Sequence, residues 1–159
     1  KGTYLGTFAP DDQLLVVYHD GYYEITDTEL TQRFDHEKLI KIEKFDPSRI
    51  IAAIYLDNEK LQYNLKRFKI ETTTLHNKFY FIKEAEGNYV EAVSTDPSPV
   101  AIIKSGRGTQ AKQTKVKVND FAEVMGWKAV GTKLVDYTKS TEIEWMESPS
   151  SSKQTTLFN

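Results

Sequence analysis

Apolar residues in this chain come in short bursts, each closed by turn-forming residues, and none extends into the 3.6-residue stripe of a long helix. Leu14-Leu15-Val16-Val17-Tyr18 is followed by His19-Asp20-Gly21 and then Tyr22-Tyr23-Glu24-Ile25. Asp-Gly between two such runs predicts a hairpin with a type I′ turn, which needs positive φ at both central residues. A second hairpin is expected from Ile50 to Leu56, turning through Asp57-Asn58-Glu59-Lys60 and returning from Leu61 to Ile70. A third pairs Phe79 to Lys83 with Tyr89 to Val93 across Glu86-Gly87-Asn88, and a fourth pairs Val100 to Lys104 with Thr114 to Val118 around Ser105-Gly106-Arg107-Gly108. Tyr4 to Phe8 and Leu39 to Glu43 read as two more strands. Only Thr28 to Phe34, capped by Thr26 or Asp27, and Asn119 to Val124 have helical character. The chain is expected to be mostly β.

Two details refine the expectation. Ile50 to Leu56 is apolar on both faces, which suits a strand buried between layers. In the strand from Leu61, Tyr63 and Leu65 share one face whereas Phe68 and Ile70 share the other. Period-2 geometry allows that slip if a bulge or a change of sheet intervenes, and the place for it is Lys66-Arg67. Repeated four-stranded units of ~40–50 residues would make about three blades of a propeller-like array.

With 159 residues the chain fits one domain or a few small repeats. Cysteine is absent, which removes disulfides, thiol catalysis and Cys-based zinc sites. No apolar run approaches the ~18 residues of a membrane span, and no leader pattern opens the chain. Lys1 is not an initiator Met, so a piece of a longer, soluble, cytoplasmic protein is expected. Residues 1–147 read as the folded unit, and 148–159, opening on Ser148-Pro149-Ser150-Ser151-Ser152, as a disordered tail. The net charge is only -2, but it is unevenly spread: residues 1–36 carry -5, 37–83 carry +4, 84–103 carry -4 and 104–139 carry +5. The first basic block is densest at Lys66-Arg67-Phe68-Lys69. The second runs Lys104, Arg107, Lys112, Lys115, Lys117 through a loop rich in Gly, Thr and Gln. Small residues let a backbone approach phosphate, and cations there neutralise it and release counterions. A solvated β surface of alternating charge is the plainer alternative.

Little in the sequence suggests catalysis or metal binding. His19, His36 and His76 lie far apart, without the spacing of a metal pair. His19 falls at a hairpin turn, where an exposed role is expected. Gly106-Arg107-Gly108 lacks the Gly-Lys-Ser/Thr of a phosphate-binding loop, and Asp11-Asp12 suits a turn. Trp127 and Trp145 suit core packing.

The strings LLVVYHDGYYEITDTEL from Leu14, KLIKIEKFDPSRIIAAIYLDNEKLQYNLKRFKIE from Lys38 and VKVNDFAEVMGWKAVGTKL from Val116 resemble the C-terminal domain of the A subunit of bacterial type II topoisomerases, gyrase or topoisomerase IV, of the Bacteroidetes type. The resemblance implies an all-β β-pinwheel of about three four-stranded blades that exchange strands, here an open arc. It implies a non-catalytic module that binds and bends duplex DNA along a basic rim without sequence preference. Catalytic residues, ATP and Mg belong to other parts of the parent A2B2 enzyme, so no cofactor is expected in this stretch. Lys66, Arg67 and Lys69 carry over as rim residues from the KRF string, and Lys104, Arg107, Lys112, Lys115 and Lys117 as a basic loop and strand. The gyrase box, Gln-Arg-Arg-Gly-Gly-Lys-Gly, is absent, which favours a topoisomerase IV-like role.

Gln154-Thr155-Thr156-Leu157-Phe158 resembles the Gln-x-x-Leu-Phe peptides that dock onto the replication sliding clamp, with Gln154, Leu157 and Phe158 as the contacts. Two rival functions remain: a protein-interaction propeller working through its acidic segments, and a glycan-processing enzyme using Asp and Glu pairs.

Overall fold

The computed structural model describes residues 11–28 and 37–147. The expected strand Tyr4 to Phe8, the body of the expected helix Thr28 to Phe34, His36, and the tail with Gln154, Leu157 and Phe158 lie outside the described residues. Among the described residues twelve strands run in order: β1 Leu14–Tyr18, β2 Tyr22–Thr26, β3 Leu39–Lys44, β4 Ile50–Asp57, β5 Gln62–Lys69, β6 Phe79–Tyr80, β7 Tyr89–Ser94, β8 Val100–Ser105, β9 Lys112–Lys117, β10 Val124–Met125, β11 Thr132–Asp136 and β12 Glu142–Trp145. One helical turn, α1 Val118–Phe121, and a 3-10 turn, Gly108–Gln110, complete the secondary structure among the described residues.

Three sheets follow a common plan: β3-β1-β2-β6, then β7-β4-β5 with β10 and β11 on β5, then β12-β8-β9. A hairpin forms the middle of each sheet, and a later strand (β3, β7 or β12) pairs with its first strand. Among the strands that pair with the first strand of each hairpin, β7 lies against both β3 and β12. The outer strand of a sheet comes from chain that follows the next hairpin. β6 follows β5 yet pairs with β2, and β10 and β11 follow β9 yet pair with β5. The sheets are thus three blades with exchanged outer strands, arranged as an open all-β arc.

The middle sheet is buried on both sides, as the doubly apolar strand predicts. Ile51, Ala53 and Tyr55 of β4 face a core shared with Leu15, Val17, Tyr23 and Ile25 of the first sheet. Ala52, Ile54 and Leu56 face a second core, shared with Ala101 and Val118 of the third sheet region. Strand β5 does the same with Phe68 on one side and Tyr63 and Leu65 on the other. That double burial accounts for the apolar slip, and the expected bulge at Lys66-Arg67 does not form. Pairing of β4 with β5 is unbroken from Ile50↔Lys69 to Asp57↔Gln62. What changes there is the neighbour on the other edge: β11 ends at Thr132↔Leu65 and β10 begins at Val124↔Arg67.

Two turn expectations also need correction. Gly21 N–H donates to Tyr18 C=O at 3.0 Å, and of the turn residues only Gly21 has positive φ, at 100°. This is a three-residue loop with the glycine after the turn, not type I′. A Cβ on Gly21 would lie 2.4 Å from Ile82 Cγ1, so the close approach also requires glycine. The third hairpin does not form at all. Gly87 does make a turn (φ 84°), but β6 joins the first sheet and β7 the second. Phe81 and Ile82 enter the core between the two sheets, which carries the strand away from β7. The second helix exists as one turn, starting and ending earlier than Asn119 to Val124, because Val124 and Met125 are taken into β10.

Candidate nucleic-acid interface

Alternation along β5 divides the first basic cluster. Lys66 shares the face of Asn64 and Phe68 and is only 2% exposed, whereas Lys69 is exposed and Arg67 half-buried. The Lys66 ammonium donates to Phe81 C=O and, at 2.8 Å, to Trp127 C=O, between the rings of Phe68 and Phe81 at 5.3 and 5.7 Å. No carboxylate pairs with it among the described residues, and burial pushes its pKa down to about 8. The expected rim position of Lys66 is therefore wrong. It is an internal tie joining β5 to the segments that follow β6 and β10, where chain crosses between sheets. A Lys-Arg-Phe-Lys run reads as solvated charge only if one face of its strand is wet; here both faces are covered as far as Phe68, and only Lys69 is exposed. The slip in apolar phase, which already put Phe68 and Ile70 on the Lys66 side, was the available signal.

Arg67 points the other way, and its Nη1 donates to Ala122 C=O at 2.8 Å. That bond and the Val124↔Arg67 bridge fix the end of α1 against β5. Because α1 begins at Val118, directly after Lys117, the first basic cluster and the end of β9 are held together by one helical turn and a two-residue strand. Through α1 and β10, Arg67 of the first block is thus linked along the chain to the end of β9.

The third sheet sorts its side chains by the β8–β9 register. Ala101 and Ile103, with Val116 opposite Ala101, turn into the core, so Val100, Ile102 and Lys104 share the other face with Gln113, Lys115 and Lys117. Lys112, Lys115 and Lys117 are all exposed, as is Arg107 at the hairpin tip. The tip is held by Gly106 N–H donating to Ser140 Oγ at 3.1 Å. A Cβ on Gly106 (φ 80°) would meet Gln110 C=O at 2.2 Å. Among the described residues no carboxylate reaches Lys69, Arg107, Lys112, Lys115 or Lys117 within ion-pair distance. Lys104 differs: its Nζ lies 3.1 Å from Glu144 Oε2 of β12, so its charge is already matched and it is not an unpaired cation of the rim. Lys115 and Lys117 stand on one face of β9, ~7 Å apart at ~3.3 Å per residue, and Lys112, opposite Ser105, stands on the other.

A groove of about 890 Å3 is lined by Glu43, Asp46, Arg49, Thr95 and Trp145, among others. Arg67 lines it as well, and the charges of Lys41, Glu43, Asp46 and Arg49 are paired with one another. Arg49 Nη1 is 3.6 Å from Glu43 Oε2, Arg49 Nε is 3.8 Å from Asp46 Oδ2, Lys41 is 3.4 Å from Glu43, and Thr95 Oγ1 donates to Glu43 at 2.9 Å. Hydrogen bonds from Ser48 hold the Asp46 carboxyl below its ordinary range. This network ties β3 to the ends of β4 and β7. Among the described residues no group of three or more His, Asp or Glu is placed to hold a metal. His19, expected to be exposed, is half-buried, and its Nδ1–H donates to Val90 C=O at 2.7 Å, fastening the first hairpin to β7. His76 lies 3.8 Å from Asp27, away from the other described histidine. Trp127 packs edge-on to Tyr23 and Phe79, as a core residue does. No helix among the described residues is long and apolar enough to cross a membrane.

No curated protein matches the chain. Residues 1–145 match the family described as topoisomerase C-terminal domain, Bacteroidota. That span includes every strand of the three blades and every cation of β9 and its hairpin tip. The chain belongs to the topoisomerase C-terminal domain family of Bacteroidota.

Proposed function

We propose that this topoisomerase module binds and bends duplex DNA without reading its sequence, and that it presents DNA to the cleavage core of a type II enzyme. The observation that carries the reading is the set of exposed cations on β9 and its hairpin tip, Lys115 and Lys117 on one face with Lys112 and Arg107 toward the tip, none within ion-pair distance of a carboxylate among the described residues. Lys69 of the first stretch is likewise exposed. Phosphates recur every ~1.7 Å along a duplex, so cations spread over a strand and its hairpin tip meet more than one. Side chains of this kind contact the backbone and position the duplex without reading bases. The module works without chemistry of its own, in a cytoplasmic, nucleoid-associated A2B2 enzyme whose other domains supply cleavage and use ATP and Mg.

Lack of the seven-residue gyrase box favours relaxation and decatenation, as in topoisomerase IV, over active negative supercoiling. The Gln154, Leu157 and Phe158 motif adds a sliding-clamp contact, which a peptide spanning Lys153 to Asn159 tests by calorimetry. The main reading is tested by anisotropy with linear duplexes of unrelated sequence. Equal affinities are expected, together with a loss on charge reversal at Lys69, Lys115 and Lys117. Strong preference for one sequence, or affinity unmoved by the triple reversal, overturns it.

A further inference from the structure

The second strand of each of the first two hairpins carries an antiparallel outer neighbour, β6 on β2 and β11 on β5. Strand β9 holds the equivalent place in the third sheet, and among the described residues nothing pairs with its outer edge. Five of its six residues are exposed, with only Val116 half-buried. Such an edge presents a row of backbone N–H and C=O groups that templates another strand unless it is blunted, and lysines are a common blunting device. Here the lysines act against a second β9, since full antiparallel overlap sets Lys112 opposite Lys117. They select a strand of opposite charge instead.

The opposite edge of the same sheet shows what that strand looks like. Strand β12, Glu142-Ile143-Glu144-Trp145, pairs antiparallel with β8, placing Glu142 opposite Lys104 and Glu144 opposite Ile102. Glu144 and Lys104 form the 3.1 Å ion pair. Lys115 is opposite Ile102 on the other side, so Lys115 and Lys117 project from the face that carries these carboxylates.

We infer that the outer edge of β9 is an acceptor site for an extended segment of a partner protein bearing carboxylates at alternate positions, which adds antiparallel as the fourth strand of the third blade. Main-chain hydrogen bonds supply the attachment, and the Lys115–Lys117 pair sets the register by facing two carboxylates two residues apart. One consequence rests on the DNA reading: the same two lysines cannot serve carboxylates and phosphates together, so the acidic strand displaces duplex from this stretch of rim.

The test uses the full chain and a fluorescein-labelled synthetic peptide, Thr-Glu-Ile-Glu-Val-Glu, with a scrambled control of the same composition whose three Glu are contiguous. The alternating peptide is expected to bind and to slow amide exchange within residues 112–117, and the scrambled one to do neither. Charge reversal of Lys115 and Lys117 together should weaken the alternating peptide by about tenfold or more, with circular dichroism unchanged. Equal binding of the two peptides, or binding without protection of β9, overturns the strand-acceptor site whatever DNA does. If the peptide protects β9 but unlabelled duplex does not displace it, the competition fails and the acceptor site stands. If the peptide binds as described and the chain has no affinity for duplex, the DNA reading alone fails.

Discussion

Replacing Lys66 with Met separates the two roles open to the first basic cluster, because it removes the ammonium while keeping an unbranched side chain in the site. Burial holds the folded-state pKa down to about 8. The lysine of an unfolded chain titrates near ~10.4. Below about 8 both states are protonated, and the folded state bears the full cost of the buried charge. Between the two values the unfolded chain binds more protons than the folded one, so this group's contribution to stability rises with pH. At ~1.36 kcal/mol per pKa unit, the stability of wild type relative to Lys66→Met should rise by about 2–3 kcal/mol between pH 8 and 10. Tyr23 and Tyr55, which burial holds above their ordinary range, act with the opposite sign above pH 10, where the unfolded tyrosines ionise first. They are common to both proteins and cancel in the difference. Urea denaturation followed by far-UV circular dichroism at pH 7, 8, 9 and 10 gives that difference directly. Parallel pH curves for the two proteins would refute the buried tie and return Lys66 to the surface.

Three further outcomes follow from the geometry. At pH 7, Lys66→Met should leave duplex affinity unchanged where Lys69→Met lowers it, measured by anisotropy at a fixed salt concentration. Gly131→Ala should destabilise by about 2 kcal/mol or more in urea titration, since Gly131 has φ +95° and its new Cβ would lie 2.6 Å from Leu65 C=O. Leu61 is exposed and holds φ 52°, so Leu61→Asn should raise stability by about 0.5–1 kcal/mol, seen as a higher Tm.

Local pattern carried much of the fold. The β1–β2, β4–β5 and β8–β9 hairpins follow from turn residues set between apolar runs, and the double burial of β4 from its lack of a polar face. What local pattern cannot carry is the partner of a strand whose edges both lie far away in sequence. Phe79 and Tyr80 flank a good turn, yet the outer edge of β2 and the inner edge of β4 each need a strand, and the two halves of the expected hairpin go separately to fill them. β11 and β12 were missed for a related reason. They are short and half-exposed, and they gain their order from β5 and β8, not from their own apolar content. The same non-local logic divides the candidate site. Exposure of the β9 lysines follows from a strand with one half-buried residue, whereas burial of Lys66 depends on Phe81 and Trp127, which arrive from elsewhere in the chain. Lys104 looks free in sequence because its partner, Glu144, comes from a strand the pattern did not reveal.

The most direct measurement is duplex affinity as a function of salt, for the wild type and for the variant with Lys115 and Lys117 both changed to Glu. Each phosphate neutralised contributes about -0.9 to the slope of log Kobs against log salt. If Arg67, Lys69, Arg107, Lys112, Lys115 and Lys117 act together, the wild-type slope should lie near -5, and the double variant should flatten it by about 2. A wild-type slope shallower than about -1, or one that the double change leaves untouched, would contradict a phosphate track along this rim.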